Sequence, residues 1–128
     1  KLLERLAAKL RSAPPPSLMP GDLPGGSIDE AAEGADVVMM LRVQRERMAE
    51  DLGDAPGEYL ARYGLTEARF ETAAPEAVIM HPGPINRGVE IDEALADHPT
   101  RSLIVQQVEM GVAVRMACLD FLTAERLR

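Results

Sequence analysis

Apolar and polar positions alternate along this chain in two rhythms. Leu2, Leu3, Leu6, Ala7 and Leu10 recur at i, i+1, i+4, i+5 and i+8, with Lys1, Glu4, Arg5 and Lys9 between them. That stripe predicts an amphipathic helix over 1–10. The following SAPPPSLMPGDLPGG holds five prolines and three glycines in fifteen residues, which forbids a helix and predicts an extended connection. SIDEAAEGAD opens on Ser27 with Glu30 three residues on and closes on Gly34, a capping box and a stop for a helix of about two turns. DVVMML, Asp36 to Leu41, is an unbroken apolar run, as expected of a parallel strand buried on both faces. A polar, glycine-bearing stretch then leads to EYLARYG and TEARFETA, two short helices, the second capped by Thr66. EAVIM, Glu76 to Met80, predicts a second buried strand, and RSLIVQQ a third. The remaining QQVEMGVAVRMACLDFLTAERLR predicts one long helix over about 106–127, with Val108, Val112, Arg115 and Leu119 on one stripe and Gly111 and Ala113 permitting close packing.

Helices and strands that alternate in this way predict an α/β fold: a three-layer, Rossmann-like parallel sheet with helices on both faces, joined by right-handed crossovers. The 128 residues make one domain, 1–128, without internal repeats.

Composition narrows the functions. There is no tryptophan and only two tyrosines and two phenylalanines, so base stacking is not expected. A net charge of −7 repels phosphate backbones and anionic membranes alike; neither nucleic acid nor membrane is an expected partner. One cysteine, Cys118, cannot form an internal disulfide and falls in an apolar helical pattern, which fits a cytoplasmic protein and a small core residue rather than a nucleophile. No apolar run approaches a membrane span and no leader pattern opens the sequence, so it reads as soluble.

In open parallel sheets, ligands bind beyond the carboxyl ends of the strands, and two unusual stretches sit at such ends. RVQRER, Arg42 to Arg47, carries three arginines and one glutamate on an acidic chain. If the strand continues, Arg42 and Gln44 project from one face, a guanidinium fork beside a neutral amide, suited to a carboxylate. The same residues also fit a solvated helix start with i,i+4 pairs, and spacing does not choose between the two. The second stretch is MHPGPINRGVEI, Met80 to Ile91. Pro82 and Pro84 fix φ and remove two N–H groups, leaving carbonyls free for a ligand, while Gly83 permits close approach. His81, ending a buried strand, reads as a hydrogen-bonded structural residue rather than a base, and His98 as a surface residue. One cysteine and two distant histidines make no zinc site, and no glycine-rich phosphate loop is present.

Together, DVVMMLRVQRERM, YGLT, MHPGPINRGVEI and QQVEMGVAVRMACL resemble, in order and spacing from about Glu33 onward, the aspartate-binding C-terminal half of the aspartate carbamoyltransferase family. Residues 1–30 match it loosely. The proline after His81 stands where ornithine-specific relatives typically carry cysteine, so the resemblance favours L-aspartate over ornithine. It implies that Arg42 and Gln44 hold the side-chain carboxylate of aspartate. The backbone of Pro82, Gly83 and Pro84 would meet the carbamoyl group of carbamoyl phosphate and the attacking amine, with His81 in support. It also implies that the loop from Met48 to Tyr59 closes over substrate, and that no cofactor or metal takes part.

The family's Ser-Thr-Arg-Thr phosphate motif is absent. The chain is therefore expected to be the second domain of a longer enzyme, beginning inside a helix near the domain junction and inactive without the preceding carbamoyl phosphate domain. The family pattern further implies a homotrimer in the full enzyme, with dihydroorotase or regulatory chains as further partners, and a place in pyrimidine (UMP) biosynthesis. An ornithine-type half and a non-catalytic partner-binding module remain the alternatives.

Overall fold

The computed structural model describes residues 9–15, 18, 25–44 and 57–124. Most of the expected helix over 1–10, Arg45 to Arg47, residues 48–56 of the expected closing loop and residues 125–128 lie outside them.

The first helix, α1 (Ile28–Ala32), forms for the reason its sequence suggests. The Ser27 hydroxyl accepts the Glu30 N–H at 3.2 Å and the Glu30 carboxylate accepts the Ser27 N–H at 3.0 Å, closing the reciprocal box. Gly34, at φ 62°, then takes the left-handed turn that ends it.

The chain enters β1 (Val37–Met39), which pairs in parallel with β2 (Val78–Met80) in the register Val37 to Val78, Val38 to Ile79 and Met39 to Met80. On its other edge β2 is flanked by residues 101–103: the Ile79 N–H donates to the Arg101 carbonyl at 2.8 Å and the Leu103 N–H to the Ile79 carbonyl at 2.9 Å. The expected third strand is thus a single parallel bridge, Ile79 to Ser102. It goes no further because Ile104 and Val105 already belong to the long helix. The α/β class and the parallel, Rossmann-like sheet stand as the pattern predicts.

Between the strands lie α2 (Glu58–Tyr63) and α3 (Glu67–Phe70). Thr66 caps α3 through the Arg69 N–H. Arg69 in turn donates to the carbonyls of Leu60, Ala61 and Gly64, tying α3 to the end of α2. A fourth helix, α4 (Glu93–Ala96), is capped by Asp92; the pattern reading passed over it, although Asp92 followed by an acidic first turn is a start signal.

Ile79, Leu65 and Ile91 are fully buried and form the core with Val38, Phe70, Ala77, Leu95, Ala96 and Ile104. Arg101 lies over the Phe70 ring, 4.9 Å from its centroid, and donates to the Ala74 and Ala77 carbonyls.

Two burial expectations are corrected. Only Val38 of β1 is buried; Val37 and Met39 are each 50% exposed, with none of the described residues covering them. The last helix, α5 (Ile104–Thr123), starts two residues earlier than the pattern placed it and buries only Ile104. Val108, Val112 and Leu119 of the expected packing stripe are exposed, as is Cys118, so neither that stripe nor the cysteine is in the core formed by the described residues.

Candidate functional site

The ladder between β1 and β2 ends where the Met40 N–H donates to the Met80 carbonyl at 3.0 Å. Beyond it the strand's alternation breaks, with Leu41 and Arg42 both exposed; Val43 is then buried and Gln44 exposed. Val43 packs in a second small cluster with Tyr59, Tyr63 and Val89, and the two tyrosine rings lie 5.3 Å apart at a 50° tilt. Arg42 and Gln44 therefore flank an anchored residue.

The loop after β2 is held from within. His81 is fully buried; its N–H donates to Gln107 Oε1 of α5 at 2.8 Å, and its Nδ1 accepts the Gly83 N–H at 2.9 Å. With Nδ1 an acceptor, the neutral ring carries its proton on Nε2. Burial lowers the imidazole below its ordinary range, opposed by the charge of Glu90. His81 Nε2 lies 3.4 Å from Glu90 Oε1, an ion-pair distance, but because burial dominates we assign a neutral ring directed at the carboxylate. Gly83 has φ 66°, and a Cβ there would come within 3.1 Å of Val108 Cγ2 on α5, so the conformation favours glycine and a side chain would crowd Val108. Gly83 and Pro84 are joined by a cis peptide bond.

Glu90 is 1% exposed. Its Oε1 accepts the Asn86 N–H at 2.5 Å, and the Asn86 side-chain amide donates to the Val43 carbonyl at 3.0 Å. A polar chain thus runs from the loop after β2 to the peptide between Arg42 and Gln44. Neither His81 Nε2 nor Glu90 Oε2 has a hydrogen-bond partner among the described residues.

A cleft of about 490 Å³ opens beside β1, lined by Val37, Met39, Arg42, Tyr59, Tyr63 and Glu90 among others. Gln44, Pro82, Gly83 and Pro84 do not line it. The two sequence-predicted groups are connected through Asn86 rather than through a shared wall. Arg87, also in the quoted loop, is engaged with Asp97 in a two-pronged pair at 2.5 and 2.9 Å. His98 is half-buried rather than on the open surface, its Nδ1 accepting the Thr100 and Arg101 N–H groups of its own turn. No group of three or more His, Cys, Asp or Glu able to hold a metal ion occurs among the described residues.

Pattern reasoning missed Asn86, Glu90, Gln107 and Val43. Asn86 and Glu90 stood in the conspicuous stretch, four residues apart, but periodicity carries no signal for a polar clip between loops. Chemically, the assembly offers one exposed cation, one exposed amide and a rigid turn; its histidine is already committed to structure.

The sequence profile of the family described as "Aspartate/ornithine carbamoyltransferase, Asp/Orn binding domain" matches residues 25–122. The chain is 56% identical over 130 residues to the aspartate carbamoyltransferase catalytic subunit of Rhizorhabdus wittichii, covering 97% of this chain and 41% of that one. It is 62% identical over 96 residues to that of Sphingopyxis alaskensis, covering 75% and 28%. Among solved structures, ornithine carbamoyltransferase from Burkholderia thailandensis superposes with a TM-score of 0.73 at 23% identity, over 94% of this chain and 41% of that one, a likeness of fold. Aspartate transcarbamoylase from Trypanosoma cruzi in complex with phosphate superposes with a TM-score of 0.66 at 25% identity, over 85% and 39%. The chain thus spans about two fifths of the length of the curated relatives it matches.

Proposed function

From a chain that belongs to the aspartate/ornithine carbamoyltransferase family and matches its Asp/Orn binding domain, we propose the aspartate-binding half of an aspartate carbamoyltransferase. The reaction joins carbamoyl phosphate and L-aspartate to N-carbamoyl-L-aspartate and phosphate in de novo pyrimidine biosynthesis, in the cytoplasm. The observation that carries the reading is the exposure of Arg42 and Gln44 on either side of buried Val43, just beyond the end of β1. Its position beyond the carboxyl ends of parallel strands is where such sheets bind ligands.

In this reading the Arg42 guanidinium and the Gln44 amide take the side-chain carboxylate of aspartate, and the backbone of Pro82, Gly83 and Pro84 meets the carbamoyl group and the amine. The uncharged amine attacks the carbamoyl carbon; the tetrahedral intermediate collapses as the bond to the phosphate oxygen breaks, and the amine proton leaves on the departing phosphate. Two anionic substrates must be brought together, so fixed positive charge and orientation supply the catalysis. His81, holding the Gly83 N–H through Nδ1, keeps the turn in shape and transfers no proton. No residue is assigned to metal or cofactor binding.

The remaining groups for carbamoyl phosphate belong, in this proposal, to a preceding domain, without which this chain is inactive. The exposed apolar side chains of α5, from Val105 to Leu122, give the rest of such a protein a surface to cover. A homotrimer, with dihydroorotase or regulatory chains as partners, is the assembly we propose for the full enzyme.

The test is steady-state kinetics on the full-length protein. Transfer to aspartate is expected, with ornithine a poor acceptor. Arg42→Ala raises the aspartate KM by about tenfold to a hundredfold, the loss of hydrogen bonds to a charged group, while the carbamoyl phosphate KM changes less than about twofold. Equal loss for both substrates, or preference for ornithine, refutes the assignment.

A further inference from the structure

We propose that Asn86 and Glu90 are positioning residues that clip the loop after β2 to the end of β1 and thereby hold Arg42 and Gln44 in the aspartate-binding geometry. The inference rests on the reading just given and extends it to two residues to which that reading gives no part.

Asn86 works in two directions. Its backbone N–H donates to Glu90 Oε1, and its side-chain amide donates across 43 positions of sequence to the Val43 carbonyl. That carbonyl belongs to the peptide joining Val43 to Gln44, beyond the last ladder bond at Met40. Without the amide, the segment carrying Arg42 and Gln44 retains Val43 in its small tyrosine cluster but loses the hydrogen bond that sets the orientation of the peptide.

Glu90 is the fixed end of the clip. Its own carbonyl accepts the N–H of Leu65, a fully buried core residue, at 3.0 Å. Its carboxylate, 1% exposed, faces Asn86 on one side and the His81 ring on the other. His81 in turn holds Gly83. One carboxylate anchored to the core therefore references both loops to the same origin, which is the tolerance that positioning demands of an active site.

Asn86 is only partly buried, so loss of its side-chain amide is expected to act on substrate binding before it acts on folding. In the full-length enzyme, Asn86→Ala and the shape-matched Asn86→Asp, which lacks the donor, are expected to raise the aspartate KM about tenfold, one hydrogen bond's equivalent. The turnover number stays within about twofold and the carbamoyl phosphate KM is unchanged. Glu90→Ala raises the aspartate KM similarly, and Glu90→Gln, which keeps an acceptor oxygen for the Asn86 N–H, recovers most of that loss. An aspartate KM unaltered in folded Asn86→Asp overturns the inference, as does equal loss for both substrates in step with a lowered melting temperature. A parent enzyme that transfers carbamoyl groups to no amino acid overturns the functional reading and the inference with it. An active parent with unaltered variants overturns the inference alone.

Discussion

Gly83→Ala isolates the constraint on the loop after β2. At φ 66° an alanine incurs the left-handed penalty of about 1–2 kcal/mol, partly offset by about 0.4–1 kcal/mol from the stiffer unfolded chain. Steric crowding adds to this. The new methyl would meet Val108 Cγ2 at 3.1 Å, several tenths of an ångström inside the optimum separation of about 3.5–4.0 Å. Val108 lies on α5, where a β-branched side chain has one strongly preferred rotamer, so it does not swing aside freely. The net destabilisation is expected to be about 1–2 kcal/mol. Gly88 provides the reference: its φ is 71° and nothing lies within 4 Å of its would-be Cβ. Gly88→Ala therefore reports the conformational cost alone. Urea denaturation of the two variants, and of Gly83→Ala with Val108→Ala, separates the contributions. Gly83→Ala should cost more than Gly88→Ala, and Val108→Ala should recover the difference as a coupling of about 0.5 kcal/mol or more. Equal costs for the two glycines with no coupling to Val108 would refute the packing argument.

Two further outcomes are expected. His81 is lowered in the fold by burial, so the unfolded chain takes up the proton first. Stability from this group is complete above the unfolded value of about 6.5 and falls as pH drops from there toward the lower folded value; a urea-midpoint profile of His81→Gln should lack that slope, and an unchanged slope would count against the assignment. Ile79→Ala removes a fully buried side chain at the centre of the core and should cost about 2–5 kcal/mol in denaturant unfolding, with a value below about 1 kcal/mol contradicting the observed packing.

Much of the fold is legible because its signals are local. Ser27 with Glu30 and Thr66 before Glu67 are caps that need only neighbouring residues. The runs around Val38 and Ile79 pair in parallel as their composition suggests. RSLIVQQ shows where such reading fails. Its apolar residues serve a strand-like bridge at Ser102 and then, from Ile104, a helix. A short apolar run has no period long enough to say where one ends and the other begins. The burial of Val37, Met39 and Cys118 was overestimated for a different reason: an apolar pattern records a demand for cover, and the described part of this chain does not meet it.

The candidate site divides along the same line. Arg42, Gln44 and the proline–glycine turn are conspicuous because each directly follows an apolar run, three arginines within six residues in one case and two prolines around a glycine in the other, and because the resemblance singles them out. Asn86, Glu90 and Gln107 are common residue types in no periodic relation to what they hold: Asn86 meets Val43 across 43 positions and Gln107 meets His81 across 26. What identifies them is a buried or partly buried polar group with a defined partner, a property of the fold. The groups expected to touch substrate were the readable ones, whereas those that fix their geometry emerge only when each buried donor and acceptor is traced to its partner. A carboxylate 1% exposed is costly to retain without a role, and in this chain it accepts the N–H of Asn86, whose side chain reaches the Val43 carbonyl beyond the end of β1.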